Sequence, residues 1–340
     1  DSGVITTEPT AETDGIITYT CKRCKHQDTK NLGKLGDGEP YIEGSFQKKG
    51  WDAVNDLIRD SQEKDTISIT LNGAKVLPAT VLSEIKGKDI SLNLDMENGF
   101  IWKINGTSIT AETPADTDLS VTNTAEYIPA ALYSLISTNQ NDFGFHLGRN
   151  GAFDFPAVLS VKADASCAGL MANLFWYDVE NGVLQCIQTV TVGGAFERSI
   201  PYADFTLSKG QDYFIAFGTE SLNGRVIHTD GSITDSDGNY TRPAKAVIKN
   251  VSVSKNSVKM VLNEECKGAL KYDYVIGTSE DMLKTGQYTK VLKNQEELKS
   301  AFAYMDKGTW YVACHAWLKG EDGKKVFGQW SEIHKVDVSA

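Results

Sequence analysis

The feature that most constrains this chain is the way its apolar residues alternate. Trp310, Val312, Cys314 and Ala316 stand at every second position, turn residues follow at Gly320, Asp322 and Gly323, and Val326, Phe327, Trp330 and Ile333 come next. A period of two puts alternate side chains on one face of a strand. Residues 308–338 therefore predict two antiparallel strands closing a small sandwich. On that reading Trp310, Val312, Cys314 and Ala316 form one inward face. Cys314 becomes a buried thiol, and His315 points outward.

The alternation recurs upstream. Segments 142–148, 157–163, 172–178, 183–192, 203–207 and 212–217 read as strands at the spacing of a sandwich. Glu180-Asn181-Gly182 joins two of them as a hairpin. A helical period occurs at Trp51, Val54, Leu57 and Ile58, and again at Val81, Leu82 and Ile85 between Pro78 and Gly87. Ile67, Ile69 and Leu71 alternate as one strand, Ile90, Leu92 and Leu94 as the next, and Asn98-Gly99 turns into a third. The fold class predicted is mainly β and multi-domain. A central region, 41–218, holds an α+β unit at about 46–106 passing into an antiparallel β-sandwich at about 107–218, and a β-domain follows at 242–340. Residues 1–40, poor in apolar side chains, predict a flexible leader. Residues 219–241, rich in turn formers, predict a linker or long surface loop. A chain of 340 residues exceeds what one core usually organises.

Charge narrows the function classes. Forty-five acids against 34 bases leave a net charge of −11, which repels polyphosphates and anionic headgroups and argues against nucleic-acid or membrane-surface partners. No run reaches the roughly 18 apolar residues of a membrane span. The chain starts at Asp1 without Met, compatible with a removed signal or anchor. Six cysteines are too few for a disulfide scaffold.

The last hundred residues resemble bacterial fibronectin type III modules of secreted proteins of Gram-positive gut bacteria. Val258, Met260 and Leu262 fall on the inward positions of the second strand, with Leu262 where the family has Trp. Tyr272, Tyr274 and Ile276 match its Tyr-x-Val-x-Tyr strand, followed by Gly277-Thr278-Ser279. Trp310 replaces the Tyr of the corner motif, Cys314 an inward aliphatic, and the closing run from Gly323 to Ser331 matches best. The resemblance implies an Ig-like β-sandwich in an extracellular, modular protein. A looser resemblance covers residues 50–217. GWDAVNDLIRDSQEKDTISITLNG, IKGKDISLNLDMENGFIWKING and ANLFWYDVENGVL are similar to a module recurring in secreted proteins of the same bacteria, and that likeness implies an address without an activity.

Candidate sites are few. Cys21-Lys22-Arg23-Cys24-Lys25-His26 offers two thiolates and an imidazole to one Zn²⁺, but a structural site needs a fourth ligand and there is no second C-x-x-C. The alternative is a local disulfide or an idle pair, with Lys22, Arg23 and Lys25 depressing the thiol pKa values. In Leu174-Phe175-Trp176-Tyr177 neighbouring side chains face opposite ways, so one-sided burial would expose an aromatic platform of the kind that stacks sugar rings, whereas two-sided burial would make it core. Trp102, Trp176 and Tyr177 are the ligand-binding candidates. Asp235-Ser236-Asp237-Gly238-Asn239 mimics the start of a calcium loop but lacks the later acid, so it reads as a turn. His146, His228, His315 and His334 form no metal or catalytic spacing. G-x-S-x-G, Walker A and G-x-G-x-x-G patterns are absent.

The expectation is a non-catalytic extracellular protein of a Gram-positive surface, with a display or adhesion role, the C-terminal module as spacer, and no cofactor unless zinc at Cys21, Cys24 and His26. The alternatives are a module binding a glycan or a host or cell-wall protein through Trp102, Trp176 or Tyr177, and an unrecognised hydrolase.

Overall fold

The computed structural model describes residues 3–193 and 200–339. The fold is mainly β, multi-domain and built of several antiparallel sheets. Two compact units divide it: one of residues 1–127, 138–176 and 188–221, the other of 128–137, 177–187 and 222–340.

In the first unit the helical periods become α1 (Trp51–Asp60) and α2 (Ala79–Ile85). Val54 and Ile58 of α1 and Val81, Leu82 and Ile85 of α2 are buried. Pro78 supplies the cap residue of α2, and Gly87 just past its end has φ 77°, the left-handed position that terminates a helix cheaply. α2 lies in the connection between Thr66–Thr70 and Ser91–Asp95, which pair in parallel as a right-length crossover requires. Ser91–Asp95 then pairs antiparallel with Phe100–Asn105, and that strand with Phe143–Lys162. The α+β part thus passes into the antiparallel part through one shared sheet. One apolar core runs from Val54 to Phe217 without a break at 106/107.

The strand boundaries differ from expectation in an instructive way. Segments 142–148 and 157–163 are one strand of 20 residues, Phe143–Lys162, and 203–207 and 212–217 are one of 17, Tyr202–Gly218. The two pair along their length, with register shifts between His146 and Gly151 and between Ala152 and Ala157. Glycines and Pro156 there mark bends and bulges, not strand ends. Gly210 is obligatory, because a Cβ on it would sit 1.8 Å from the Arg149 carbonyl oxygen.

Residues 3–40 are not the flexible leader that composition predicts for 1–40, whose first two residues lie outside the described ones. Val4–Thr7, Gly15–Thr20 and Gln27–Gly33 form an antiparallel three-stranded sheet. Backbone pairing and a Thr6–Thr18 hydroxyl contact of 2.8 Å across strands supply what apolar content does not. Ile17 and Leu32 are its buried anchors, and the Lys49 ammonium donates to the Leu32 carbonyl at 2.9 Å.

In the second unit Ile248–Ser254, Ser257–Leu262 and Lys299–Phe302 form one sheet. Lys290–Gln295, Lys271–Gly277 and Gly308–Lys319 form the other, and Lys325–Phe327 and His334–Val338 both pair along Gly308–Lys319. The inner faces meet in one core containing Val258, Met260, Leu262, Tyr272, Tyr274, Ile276, Trp310, Val312, Cys314 and Ala316. This is the Ig/fibronectin-like sandwich. Trp310 does the work of the corner tyrosine: its indole N–H donates to the Asp306 carbonyl four residues upstream at 2.9 Å. The predicted linker is also structured. Residues 222–241 belong to the second unit and carry short strands Val226–Ile227, Ile233–Thr234 and Tyr240–Arg242, with Ile227, Ser232 and Ile233 buried. Its turn formers hold it by Asx geometry, as where Asp230 Oδ1 accepts from the Ser232 N–H at 3.0 Å.

Replacing Trp310 by Phe keeps most of the buried ring but leaves the Asp306 carbonyl without its donor. The expected cost is about 2 kcal/mol, read as a lower urea midpoint at unchanged slope.

Candidate functional site

The three aromatic candidates of the central region do not make a platform. Trp102 lies on Phe100–Asn105 at 1% exposure, its indole N–H donating to the Leu119 carbonyl at 2.9 Å and its ring edge-on to Phe153. It is core. On Met171–Asp178, Leu174 and Phe175 are both fully buried although they face opposite ways, so the strand is covered on two sides. Trp176 is half-buried against the core, with the Lys209 ammonium 5.4 Å from its ring centre. Tyr177 is half-buried too.

Cys21 and Cys24 sit in the turn between Gly15–Thr20 and Gln27–Gly33, where the Cys21 N–H donates to the His26 carbonyl at 2.8 Å. Among the described residues no group of three or more His, Cys, Asp or Glu is placed to hold a metal ion. The Cys21 thiol is shifted below its usual pKa, first by the Cys24 backbone N–H and then by the Cys24 side chain. That cause replaces the flanking cations expected from sequence. The calcium-loop mimic is a turn: Asp235 Oδ1 accepts from the N–H groups of Asp237 and Asn239 at 3.0 and 2.9 Å.

Strand register creates one pair that sequence spacing hides. His146 and Asp212 are direct cross-strand partners, and His146 Nδ1 lies 2.5 Å from Asp212 Oδ1. The other carboxylate oxygen accepts the Tyr127 N–H. Both oxygens are thus engaged, tying the loop at Tyr127 to the sheet.

The densest cluster lies on the outer face of the C-terminal module. His315 is not outward in solution as alternation predicts. It is 9% exposed, sandwiched between Trp330 (ring centres 3.6 Å apart, planes 10° from parallel) and Phe327 (4.4 Å, 12°). Tyr288 continues the row, 6.0 Å from Trp330. The burial follows from the last strand being split: Ser331 bonds to the middle of Gly308–Lys319, its hydroxyl accepting the Cys314 N–H, so the 328–333 segment crosses the sheet between its two paired pieces. Beside the rings, buried Asp273 accepts from the Asn294 N–H at 2.7 Å and the Trp317 indole at 3.1 Å, and pairs with Lys325 at 3.2 Å. The Lys325 ammonium also sits 4.1 Å from the Trp317 ring centre. Every charge here is partnered, and the stacked ring faces are occupied by one another. Phe327 is the most exposed ring of the row, at 41%, with the Lys325 ammonium 5.6 Å from its ring centre.

A more open feature in the same unit is a cavity of about 590 Å³ lined by Leu135, Val247 and Cys266 with Asp230, Lys245 and Lys267. Lys267 and Asp230 pair there at 3.0 Å. Burial pushes the Cys266 thiol up to about 11, so it is protonated and inert at neutral pH. Burial does the same to Cys314, more strongly.

No family model matches the chain, and no curated protein matches it. Among solved structures it is similar to a DUF3823 family protein from Bacteroides uniformis (11% identity, 51% of this chain and 90% of that one, TM-score 0.23). It is also similar to the FN1–FN3 domains of chicken CNTN1 (8%, 71% and 78%, TM-score 0.24). A third likeness is to a β-glucuronidase from Ruminococcus gnavus (11%, 67% and 41%, TM-score 0.22). Likeness at this level carries no argument for fold or activity.

Burial lowers the His315 pKa to about 4, against the attraction of Asp273 and with the repulsion of Lys325. The unfolded chain, with an ordinary pKa near ~6.5, takes up its proton first as pH falls. Stability is therefore full above about pH 6.5 and drains as pH approaches about 4, by about 3 kcal/mol in all. Melting temperature against pH should show this slope in the C-terminal transition, and His315→Phe should flatten it over that window.

Proposed function

We propose that the chain is a non-catalytic, extracellular, modular protein of a bacterial surface, Gram-positive by the sequence resemblance, that works by display and adhesion with the C-terminal sandwich as spacer. The observation that carries this reading is the two-sided burial of Gly308–Lys319. A sandwich filled on its inner face and clad on its outer face by the Tyr288–Trp330–His315–Phe327 row holds its shape without a ligand, as a spacer must. Supporting it, the buried thiols are held protonated, and the net charge of −11 disfavours polyanionic partners. No helix among the described residues is long and apolar enough to cross a membrane. Antibody against the chain should label intact cells of the producing bacterium, and external protease should remove the signal. Unlabelled intact cells that label after lysis would sink the proposal, as would turnover of glycoside or peptide substrates by the purified chain.

Adhesion through an exposed aromatic is favoured at a place the sequence did not suggest. Tyr304 is 83% exposed yet held at φ 57°, a costly backbone conformation for a bulky residue. The Lys290 ammonium braces the loop by donating to the Ala303 and Tyr304 carbonyls at 2.7 and 3.0 Å. A ring held outward this way suits stacking on a glycan or a host protein. Tyr304→Ala should abolish saturable binding to immobilised glycans or matrix proteins without lowering the melting temperature. Tyr304→Gly should raise stability by up to about 1 kcal/mol by relieving the left-handed backbone.

A further inference from the structure

We propose that Cys21 and Cys24 are a redox site, closing to a disulfide across the turn of the N-terminal hairpin by exchange with a small-molecule disulfide. The turn joins Gly15–Thr20 to Gln27–Gly33. The Lys25 N–H donates to the Cys21 carbonyl four residues back at 2.9 Å, Lys25 has φ 62°, and the Cys21 N–H donates to the His26 carbonyl at 2.8 Å. A backbone closed from residue i+4 to residue i has the rise of one helical turn, which puts Cα atoms three residues apart at about 5 Å. That lies inside the roughly 4.4–6.8 Å window a disulfide spans. Cys24 is exposed and Cys21 partly so, whereas Cys167, Cys186, Cys266 and Cys314 are buried. The pair is therefore the accessible dithiol of the described chain.

The roles follow from the hydrogen bonds. Cys21 receives them from Cys24, so its thiolate is the one stabilised and it attacks first. Its sulfur bonds to one sulfur of a low-molecular-weight disulfide such as oxidised glutathione. The reagent's S–S bond breaks, and one glutathione leaves as a thiolate that takes a proton from water. The Cys24 thiolate then attacks the Cys21 sulfur and expels the second glutathione. Two protein thiols are oxidised, and one disulfide is reduced to two thiols. The product staples a hairpin whose buried apolar anchors are few, and a hairpin with little core is otherwise marginal in water.

The test uses the full chain equilibrated in glutathione buffers of graded potential, quenched by alkylation and read by mass spectrometry of the peptide holding residues 21–24. Cys21 and Cys24 should lose their thiols together in one two-electron transition, with the four buried cysteines alkylated only after denaturation. Cys24→Ala should stop the closure and accumulate the glutathione mixed disulfide on Cys21. Cys21→Ala should likewise stop the closure and leave Cys24 to carry a single glutathione mixed disulfide. Both thiols remaining free in the most oxidising buffer would overturn the proposal. So would a transition in which each cysteine carries its own glutathione.

Discussion

Two-sided burial of strands is the constraint on which the rest of this structure depends. Alternation along a strand reports one face only. In Gly308–Lys319 every residue from Val312 to Leu318 is buried: Val312, Cys314 and Ala316 in the sandwich core, Ala313 in a second cluster with Tyr288, Trp330 and Ile333, and His315 between Trp330 and Phe327. The same holds for Ala172 to Phe175 in the first unit. A strand clad on both sides has no free face on which to build a ligand platform. Its polar residues must then find partners in the cladding, and Asp273 does so with three donors of different kinds. Leaving any one of them out would strand a buried carboxylate, which costs more than the bond itself returns. The ring row and the ion pair are therefore one device that lets the outer face be dry.

That explains which parts were legible in the sequence. The inner faces were, because Val258, Met260, Leu262 and Trp310, Val312, Cys314, Ala316 repeat at the strand period. So were α1 and α2, whose Val54, Ile58, Val81, Leu82 and Ile85 repeat at the helical one. His315 was misread because what covers it, Trp330, sits 15 residues further on in a segment with no periodicity of its own. Trp102 was misread because nothing local distinguishes a tryptophan whose N–H meets a carbonyl 17 residues away from one that meets a sugar. The His146–Asp212 pair depends on register between two strands with two bulges, and a one-residue change in either would separate them. Tyr304 carries no sequence signal at all, since its conformation comes from the Lys290 brace and from the Met305 N–H bonding to the Asn256 carbonyl.

Low apolar content misled for a different reason. Residues 1–40 and 219–241 lack the side chains that drive a core, and both were read as unstructured. In both, hydrogen bonds substitute for burial: strand ladders with threonine hydroxyl contacts in the first, Asx turns at Asp230 and Asp235 in the second. Arg242 adds a tie of its own, its guanidinium donating to the Gly231 carbonyl at 3.0 and 3.1 Å and to the Leu135 carbonyl at 3.2 Å. Such segments fold because their polar groups are satisfied locally, and composition does not count satisfaction.

The six cysteines bring these threads together. Four lie in dry surroundings, and at Cys167, Cys266 and Cys314 burial raises the thiol pKa and removes the thiolate that would react. The other two lie where the chain has the least core, on a hairpin held by polar bonds, and there hydrogen bonding from Cys24 shifts the Cys21 thiol downward. Reactivity and structural need thus vary oppositely along the chain: thiols inside the sandwiches are quiet because packing already holds those regions, while Cys21 is activated where packing is thin. A covalent link at that turn would act on the part of the fold with the fewest other restraints, which is where one small-loop disulfide has the most to add.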